Sequence, residues 1–210
     1  MRAAWRSWGR TYIFRMSYPP PLILASTSRY RKELLSRLGL PFTATAPACD
    51  EEALKRPGIP PRLLAEELAA AKARSLRAAH PDAVVIGSDQ VCAIDGRILG
   101  KPGNAERAAQ TLQTLQGRTH ELITAVTISG PDGEEHHTDV TALTMRPLDA
   151  SAIARYLAVD TPFDCAGAYK LECRGVALMA AITSADQTAI VGLPLLAVVR
   201  MLGRWGYVVP

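Results

Sequence analysis

Asp89 and Lys101 are the residues in this chain whose types and spacing most readily suggest chemistry. Asp89 lies between two short apolar runs, Ala83 to Ile86 and Val91 to Ile94, and Lys101 follows the second run after the turn sequence Asp95-Gly96. Because Asp-Gly between apolar runs is a strong hairpin signal, we expect Asp89 where a strand ends and a hairpin begins. A rigidly held carboxylate beside an ammonium suggests a metal ion and a phosphate. A turn aspartate and a surface lysine would explain the same residues without chemistry, and turn aspartates are common.

A candidate phosphate site lies near the start of the chain. The apolar run Leu22 to Ser26 predicts a strand, and the sequence Arg29 to Leu38 predicts a helix that ends at Gly39. Between them Ser26, Thr27 and Ser28 offer hydroxyls and three possible N-caps, and a helix N-terminus presents N–H groups to a phosphate. Arg31, one turn into the helix, could bind the same anion with two hydrogen bonds. A solvated helix face is an equally good explanation of Arg31.

Two further charged residues are candidates for the same site. Glu51 belongs to an acidic cluster, Asp50 to Glu52, which is usual for a solvated loop. It could hold a metal ion only if a second carboxylate met it, and Asp89 is the candidate. Lys72 lies among alanines in a predicted helix from about Arg62 to Ala79, where it could face solvent or reach into a cleft.

The elements that must position these residues alternate between strands and helices. Predicted strands at Thr119 to Ser129 and Glu135 to Met145 are joined by a Gly-Pro-Asp-Gly turn, and a further strand is expected at Val176 to Ile182. Helices are expected after Asn104, from Asp149 or Ser151, and near Pro194. This order predicts an α/β fold with a mixed sheet. His120, His136 and His137 fall on the strands without ligand spacing, so we read them as surface or structural residues.

Size and composition exclude several classes of protein. The chain has 210 residues, is 48% hydrophobic and carries a net charge of +4, which suits one globular domain and an anionic small substrate. No apolar run approaches the ~20 residues of a membrane helix. The four cysteines lack zinc spacing and are typical of reduced cytoplasmic thiols. Outside the first 15 residues the chain has no basic stripe interleaved with aromatic residues, so we expect no stable nucleic-acid partner.

The first residues form a separate segment in our reading. Residues 1–18 are basic and aromatic at their start but lack the apolar region of a signal peptide. We interpret them as an extension, either disordered or the product of a mis-assigned start with Met16 as the true one, ahead of one domain over residues 19–210.

The motifs LILASTSRYRKELL, AKA, GSDQV, GKP, CAGAYKLE and IVGLPL, with the pair Asp50-Glu51, resemble those of the Maf family in order and spacing. The resemblance covers nearly everything from Leu22 onward. It implies a two-lobed mixed β-sheet with flanking helices and a central substrate cleft, as in the inosine-triphosphate pyrophosphatases. It also implies a nucleoside triphosphate pyrophosphatase. Its motifs place phosphate-binding residues at Ser28 and Arg31, with Ser26 beside them, and catalytic residues at Glu51, Lys72, Asp89 and Lys101.

Three positions separate subgroups of the family, and this chain has Tyr30, Gln90 and Glu172 there. The glutamine and the glutamate resemble the subgroup that acts on 7-methyl-GTP, in which Trp is usual at the first position. The chain departs from the family pattern at Arg29 and Cys173, where Pro and Gly are usual. An aromatic ring can stack on the cationic methylated base, and a carboxylate can accept hydrogen bonds from it while complementing its charge.

The resemblance further implies a divalent cation, Mg²⁺ or Mn²⁺, held by Glu51 and Asp89, together with a homodimer and a cytoplasmic location. Other substrates stay open: dTTP or UTP, or a non-standard purine nucleotide. An alternative of another class is a nucleotide-binding regulator of cell division, which would bind without turnover.

Overall fold

A computed structural model describes residues 19–209, so the predicted extension at residues 1–18 lies outside the described residues. The strands are β1 (Leu22–Ala25), β2 (Thr43–Thr45), β3 (Val84–Ile94), β4 (Arg97–Leu99), β5 (Thr119–Gly130), β6 (Gly133–Met145) and β7 (Met179–Thr183). The helices are α1 (Arg29–Ser36), α2 (Glu51–Leu54), α3 (Pro61–Arg74), α4 (Ala105–Leu115), α5 (Ala150–Asp160), α6 (Gln187–Val191) and α7 (Leu195–Leu202).

The strands form one mixed, open sheet. Its order is β2-β1-β3-β5-β6-β7, and β4 pairs with β3 beside that path. Strand β1 runs parallel to both β2 and β3, whereas every later pair is antiparallel. The predicted α/β fold with a mixed sheet is confirmed.

The two largest apolar clusters of the core lie toward opposite ends of β3. One apolar cluster joins β1 and the start of β3 to α1 and α7, and it includes Leu24, Ile86 and Met201. A second joins the end of β3 to α4 and α5, and it includes Leu112 and Leu143. Strands β3 and β5 run through both ends, so they connect the two lobes as continuous elements.

Strand β3 corrects one expectation. The sequence Gly87 to Gln90 does not break the strand, which is continuous from Val84 to Ile94 and pairs with β5 across that stretch. Asp89 therefore lies within a strand and not at its end. The Asp95-Gly96 hairpin is confirmed, with positive φ angles of 51° and 74° at its two turn residues. The acidic cluster, expected as a loop, forms the short helix α2 with Asp50 as its N-cap.

None of the helices described for residues 19–209 is both long enough and apolar enough to cross a membrane.

Candidate active site

The candidate site is organised by a gap along one edge of β3. Strand β5 covers one edge of β3 from Val85 to Ala93. On the other edge, β1 pairs only as far as Ile86 and β4 begins at Cys92. Residues 87–91 on that edge therefore have neither β1 nor β4 beside them. Asp89 lies at the centre of this gap, where a ligand can approach the strand.

Asp89 is held by an ion pair to Lys72. The ammonium of Lys72 donates to Oδ1 of Asp89 at 2.6 Å, and it lies 3.2 Å from Oε2 of Glu51. The side chain of Lys72 is only 7% exposed, whereas those of Asp89 and Glu51 are 14% and 40% exposed. Three residues predicted separately from sequence thus meet at one point, and the carboxylates keep a route to solvent.

Close packing of α3 on β3 makes this contact possible. A Cβ atom at Gly87 would lie 2.3 Å from the carbonyl oxygen of Ala69 and 2.4 Å from the amide nitrogen of Ala73. Only a glycine leaves room for the helix backbone at that distance. Since Lys72 adjoins Ala73, the absence of a side chain at Gly87 sets how near the ammonium comes to Asp89.

The predicted phosphate-binding residues lie at the start of α1. Ser28 is the N-cap, with its hydroxyl 3.5 Å from the amide nitrogen of Arg31, and the hydroxyl of Ser26 accepts from the amide of Ser28 at 3.1 Å. The side chain of Arg31 donates from Nε to the carbonyl oxygen of Gly192 at 2.9 Å. Burial lowers the pKa of Arg31, while the charges of Asp89 and Glu51 act in the opposite direction. Arg31 therefore lies within electrostatic reach of the carboxylate cluster.

Lys101 is not brought into the cluster by a direct contact. Lys101 is exposed and lies just beyond β4. Within residues 19–209 it forms no ion pair or side-chain hydrogen bond. The expectation that Lys101 points at Asp89 stays a prediction.

Gln90 lies on the opposite face of the sheet from Asp89, because neighbouring residues of a strand alternate between faces. Its amide nitrogen donates at 2.9 Å to Oγ1 of Thr124 and to the carbonyl oxygens of Ala189 and Ile190 in α6. These bonds commit its donor group to fixing α6. Gly192, which caps α6, accepts from Arg31, so Gln90 is linked to the phosphate side through that helix.

Tyr30 lies within electrostatic range of Glu172. Burial raises the pKa of Tyr30, with Lys170 lowering it and Glu172 raising it further. The tyrosine is therefore close enough to the segment around Lys170 for their charges to interact. Glu172 is exposed, and the guanidinium of Arg29 lies 5.4 Å from the centre of the Tyr30 ring. The ring therefore already lies within cation–π distance of a guanidinium of the chain itself.

Glu51 and Asp89 offer oxygen ligands of the kind that Mg²⁺ and Mn²⁺ accept. Within the described part of the chain there is no group of three or more His, Cys, Asp or Glu side chains arranged to hold a metal ion. A pair of carboxylates nevertheless suits Mg²⁺, which keeps several waters and uses one or two carboxylates together with substrate phosphates. The residues fit a cation that binds with its substrate.

Sequence reasoning missed the residues that support the cluster. The hydroxyl of Ser88 is buried, and its oxygen lies 2.9 and 3.0 Å from the carbonyl oxygens of Ala125 and Gly192, which share its one proton. Gly192, with a φ of +118°, accepts from both Ser88 and Arg31. The glycines at 87 and 192 were the available signal, since a glycine beside a predicted strand or helix often marks a close backbone approach.

A second groove, of about 680 Å³, lies between α3 and strands β5 and β6. None of the predicted site residues lines this groove. The charged cluster at Asp89 and this groove are therefore different places on the protein. The charges and the strand gap define the site, because they carry the chemistry.

The structure has an α/β fold with a mixed sheet. A charged cluster lies at a gap along the edge of β3, an arrangement suited to an anionic ligand. The family model described as Maf-like protein matches residues 21–205, and the chain belongs to that family.

Its relatives include proteins named 7-methyl-GTP pyrophosphatase. That of Bordetella pertussis is 51% identical over 90% of this chain and 94% of its own length. Those of Bdellovibrio bacteriovorus and Xanthomonas axonopodis pv. citri are 49% and 48% identical over 86% and 91% of the chain, and 95% and 100% of their own lengths. A solved structure, described as a nucleoside-triphosphatase or dITP/XTP pyrophosphatase from Mycobacterium abscessus, aligns with 61% of this chain and 75% of its own. Its TM-score is 0.41 at 18% identity, too low to bear on function.

Proposed function

We propose that this protein is a metal-dependent nucleoside triphosphate pyrophosphatase that acts on 7-methyl-GTP, releasing pyrophosphate and the nucleoside monophosphate. The observation that carries the proposal is the meeting of Asp89, Lys72 and Glu51 at the gap in the edge of β3. The names of relatives about half identical over nearly their full length support the same activity.

Binding of the triphosphate requires positive charge near the cluster. Arg31 and Lys72 supply guanidinium and ammonium groups, and the N-terminus of α1 supplies backbone N–H groups beside Ser28. A divalent cation, Mg²⁺ or Mn²⁺, held by Glu51 and Asp89, would neutralise phosphate charge and activate water when bound.

The chemical step is attack of water on the α-phosphorus. In our proposal Asp89 accepts the proton of that water as the new phosphorus–oxygen bond forms, and the bond between the α-phosphorus and the bridging oxygen breaks. The electron pair leaves with pyrophosphate. Lys72 is placed to stabilise the charge that develops, and Lys101 approaches the leaving group from beyond β4.

Base recognition falls to Tyr30 and Glu172. The methylated base is a cation, so an aromatic face attracts it by roughly 0.5–2 kcal/mol. The carboxylate of Glu172 accepts from the N–H groups of the base and complements its charge. Gln90 contributes by holding α6, since its amide donors are already bound there.

A nucleotide panel tests the activity. Pyrophosphate release would be measured from 7-methyl-GTP, GTP, dTTP, UTP, CTP and ITP, with Mg²⁺ and with chelator. We expect metal-dependent turnover that is fastest on 7-methyl-GTP. Faster turnover of dTTP or UTP would keep the chemistry and contradict the base assignment, and binding without turnover would favour a regulatory role.

We further propose that the protein is a homodimer in the cytoplasm. Large apolar side chains stay exposed at Leu63, Ile98 and Val140, which are 41%, 37% and 40% exposed. A second copy would cover some of these side chains. The four cysteines are free thiols, as expected in a reducing compartment. Light scattering that reports a monomer at all concentrations would contradict the dimer.

A further inference from the structure

Glu172 is displayed on a tight turn, Lys170 to Gly175, which we call the recognition turn. The amides of Cys173 and Gly175 both donate to the carbonyl oxygen of Lys170, at 3.1 and 2.9 Å. A Cβ atom at Gly175 would lie 2.5 Å from that same oxygen, so the turn closes too tightly for a side chain there. Glu172 itself is exposed at the tip. The direction in which it points therefore depends on how the two ends of the turn are anchored.

Both ends of the recognition turn are attached to the last turns of α5. At the start of the turn, the amide of Lys170 donates to the hydroxyl of Tyr156 at 2.9 Å. The ammonium of Lys170 donates to the carbonyl oxygen of Asp160 at 3.2 Å. Toward its end, the amide of Arg174 donates to Oδ2 of Asp160 at 2.9 Å. Asp160 is thus the one residue in residues 19–209 that bonds to the turn on both sides of Glu172.

The position of Asp160 is unfavourable for a carboxylate in two ways. It is the last residue of α5, where the partial negative charge of the helix end repels an anion, and its side chain is only 2% exposed. The hydrogen bond from the Arg174 amide offsets that cost. The accompanying ion pair, 3.3 Å from the Arg174 guanidinium, contributes little because that side chain is 69% exposed.

We propose that Asp160 is a positioning residue for base selectivity. It fixes the recognition turn so that the carboxylate of Glu172 faces the base, and it does not touch the substrate. This role rests on the proposed function of Glu172. Asp160 lies in a different element from the catalytic cluster, so its loss weakens discrimination between 7-methyl-GTP and GTP without slowing the chemical step.

The test is a double-mutant cycle read as the ratio of kcat/KM for 7-methyl-GTP to that for GTP. We expect Glu172→Gln to lower this ratio about tenfold, the usual effect of weakening a hydrogen bond to a charged group. Asp160→Ala should lower it about fivefold by raising the KM for 7-methyl-GTP with kcat unchanged. The double variant should be no less selective than Glu172→Gln alone, because Asp160 acts through Glu172.

Asp160→Asn is the matched variant, since it keeps an acceptor for the Arg174 amide and should retain most of the selectivity. Thermal melting of each variant checks that it is folded. Additive losses of selectivity in the double variant would overturn the role of Asp160 but not that of Glu172. The same conclusion would follow if both Asp160 variants kept the parent ratio while Glu172→Gln lowered it. An unchanged ratio in Glu172→Gln would overturn the base assignment, and the role of Asp160 with it.

Discussion

The two ends of the candidate cleft are built in opposite ways. At the phosphate end, Lys72 is nearly buried and already paired with Asp89 and Glu51, and Arg31 is fixed by the carbonyl of Gly192. At the base end, Glu172 is exposed and the partly buried Tyr30 lies near it. One end has its charges in place before any ligand arrives, whereas the other presents the carboxylate of Glu172 on a turn, beside Tyr30 of α1.

The difference follows from what each end must recognise. Every nucleoside triphosphate carries the same phosphates, so the phosphate end can be preorganised once, and preorganised charge is what stabilises a transition state. The base differs between nucleotides. Substitutions in the turn that carries Glu172 can change base recognition without disturbing the charges at the phosphate end. We therefore expect variants of the phosphate end to change turnover and variants of the base end to change selectivity.

The largest expected effect comes from the phosphate end. Asp89→Asn should lower kcat by about a thousandfold, in the range of general-base catalysis, while nucleotide binding and the melting temperature stay close to those of the parent. Pyrophosphate release and a thermal melt are the measurements. Asp95→Asn, an exposed turn residue on the same hairpin, is the control and should keep full activity. Near-normal turnover by the Asp89 variant would remove that residue from the mechanism.

The next effect concerns the core beneath the base end, where His120 is buried and bonded from Nε2 to the hydroxyl of Tyr169 at 2.8 Å. Burial lowers the pKa of His120 to about 4. As pH falls below about 6.5, the unfolded chain binds a proton that the folded chain refuses until pH reaches about 4. The free energy of unfolding should therefore fall by up to about 3 kcal/mol across that window, and be fully retained above it.

Denaturant melts between pH 7 and pH 4 measure this loss. His120→Gln should flatten the acid limb, whereas His80→Gln, at an exposed position, should leave it unchanged. Equal slopes in the parent and the His120 variant would show that another group causes the acid sensitivity.

Gly87→Ala should disturb the phosphate end without touching a charged residue. The added methyl group meets the backbone of α3, so the helix must move, at a cost of about 1–3 kcal/mol in stability. Lys72 moves with it, and kcat should fall while the preference for 7-methyl-GTP over GTP is kept. Gly100→Ala, where nothing lies within 4 Å, is the control. A change in base preference instead would mean that the two ends are not separable.

The smallest expected effect is at Tyr30. Replacing Tyr30 by Leu removes the aromatic face and should weaken binding of 7-methyl-GTP by about 1 kcal/mol relative to GTP. Tyr30→Phe keeps the ring and should behave like the parent in the same competition assay. If Leu and Phe give the same ratio, stacking on Tyr30 does not contribute to selectivity.

Local signals carried much of the prediction. Helix starts were expected at one of Ser26 to Ser28, at Asn104, and at Asp149 or Ser151. In the structure Ser28, Asn104 and Asp149 cap these helices with their side chains. The Asp95-Gly96 hairpin and the long pair of strands β5 and β6 also follow from local sequence. In each case the residues that decide the structure are neighbours in the chain.

The rest depends on residues far apart in the chain. Gly87 to Gln90 has the composition of a turn, yet it stays in a strand because Gly87 admits α3 and Ser88 and Gln90 bond to residues beyond position 120. The short helix α6 was missed for the same reason, since Gln90 helps to hold it from nearly a hundred residues earlier. No local pattern reports such a partner.

The gap in the edge of β3 has a further consequence for solubility. A strand edge without a neighbour can pair with a strand of another chain and so start aggregation, and proteins protect such edges with inward-pointing charges. Here the charges beside the open stretch are those of Asp89, Lys72 and Arg31. The side chains that we assign to phosphate chemistry are thus also expected to keep foreign strands from adding to the sheet at this edge.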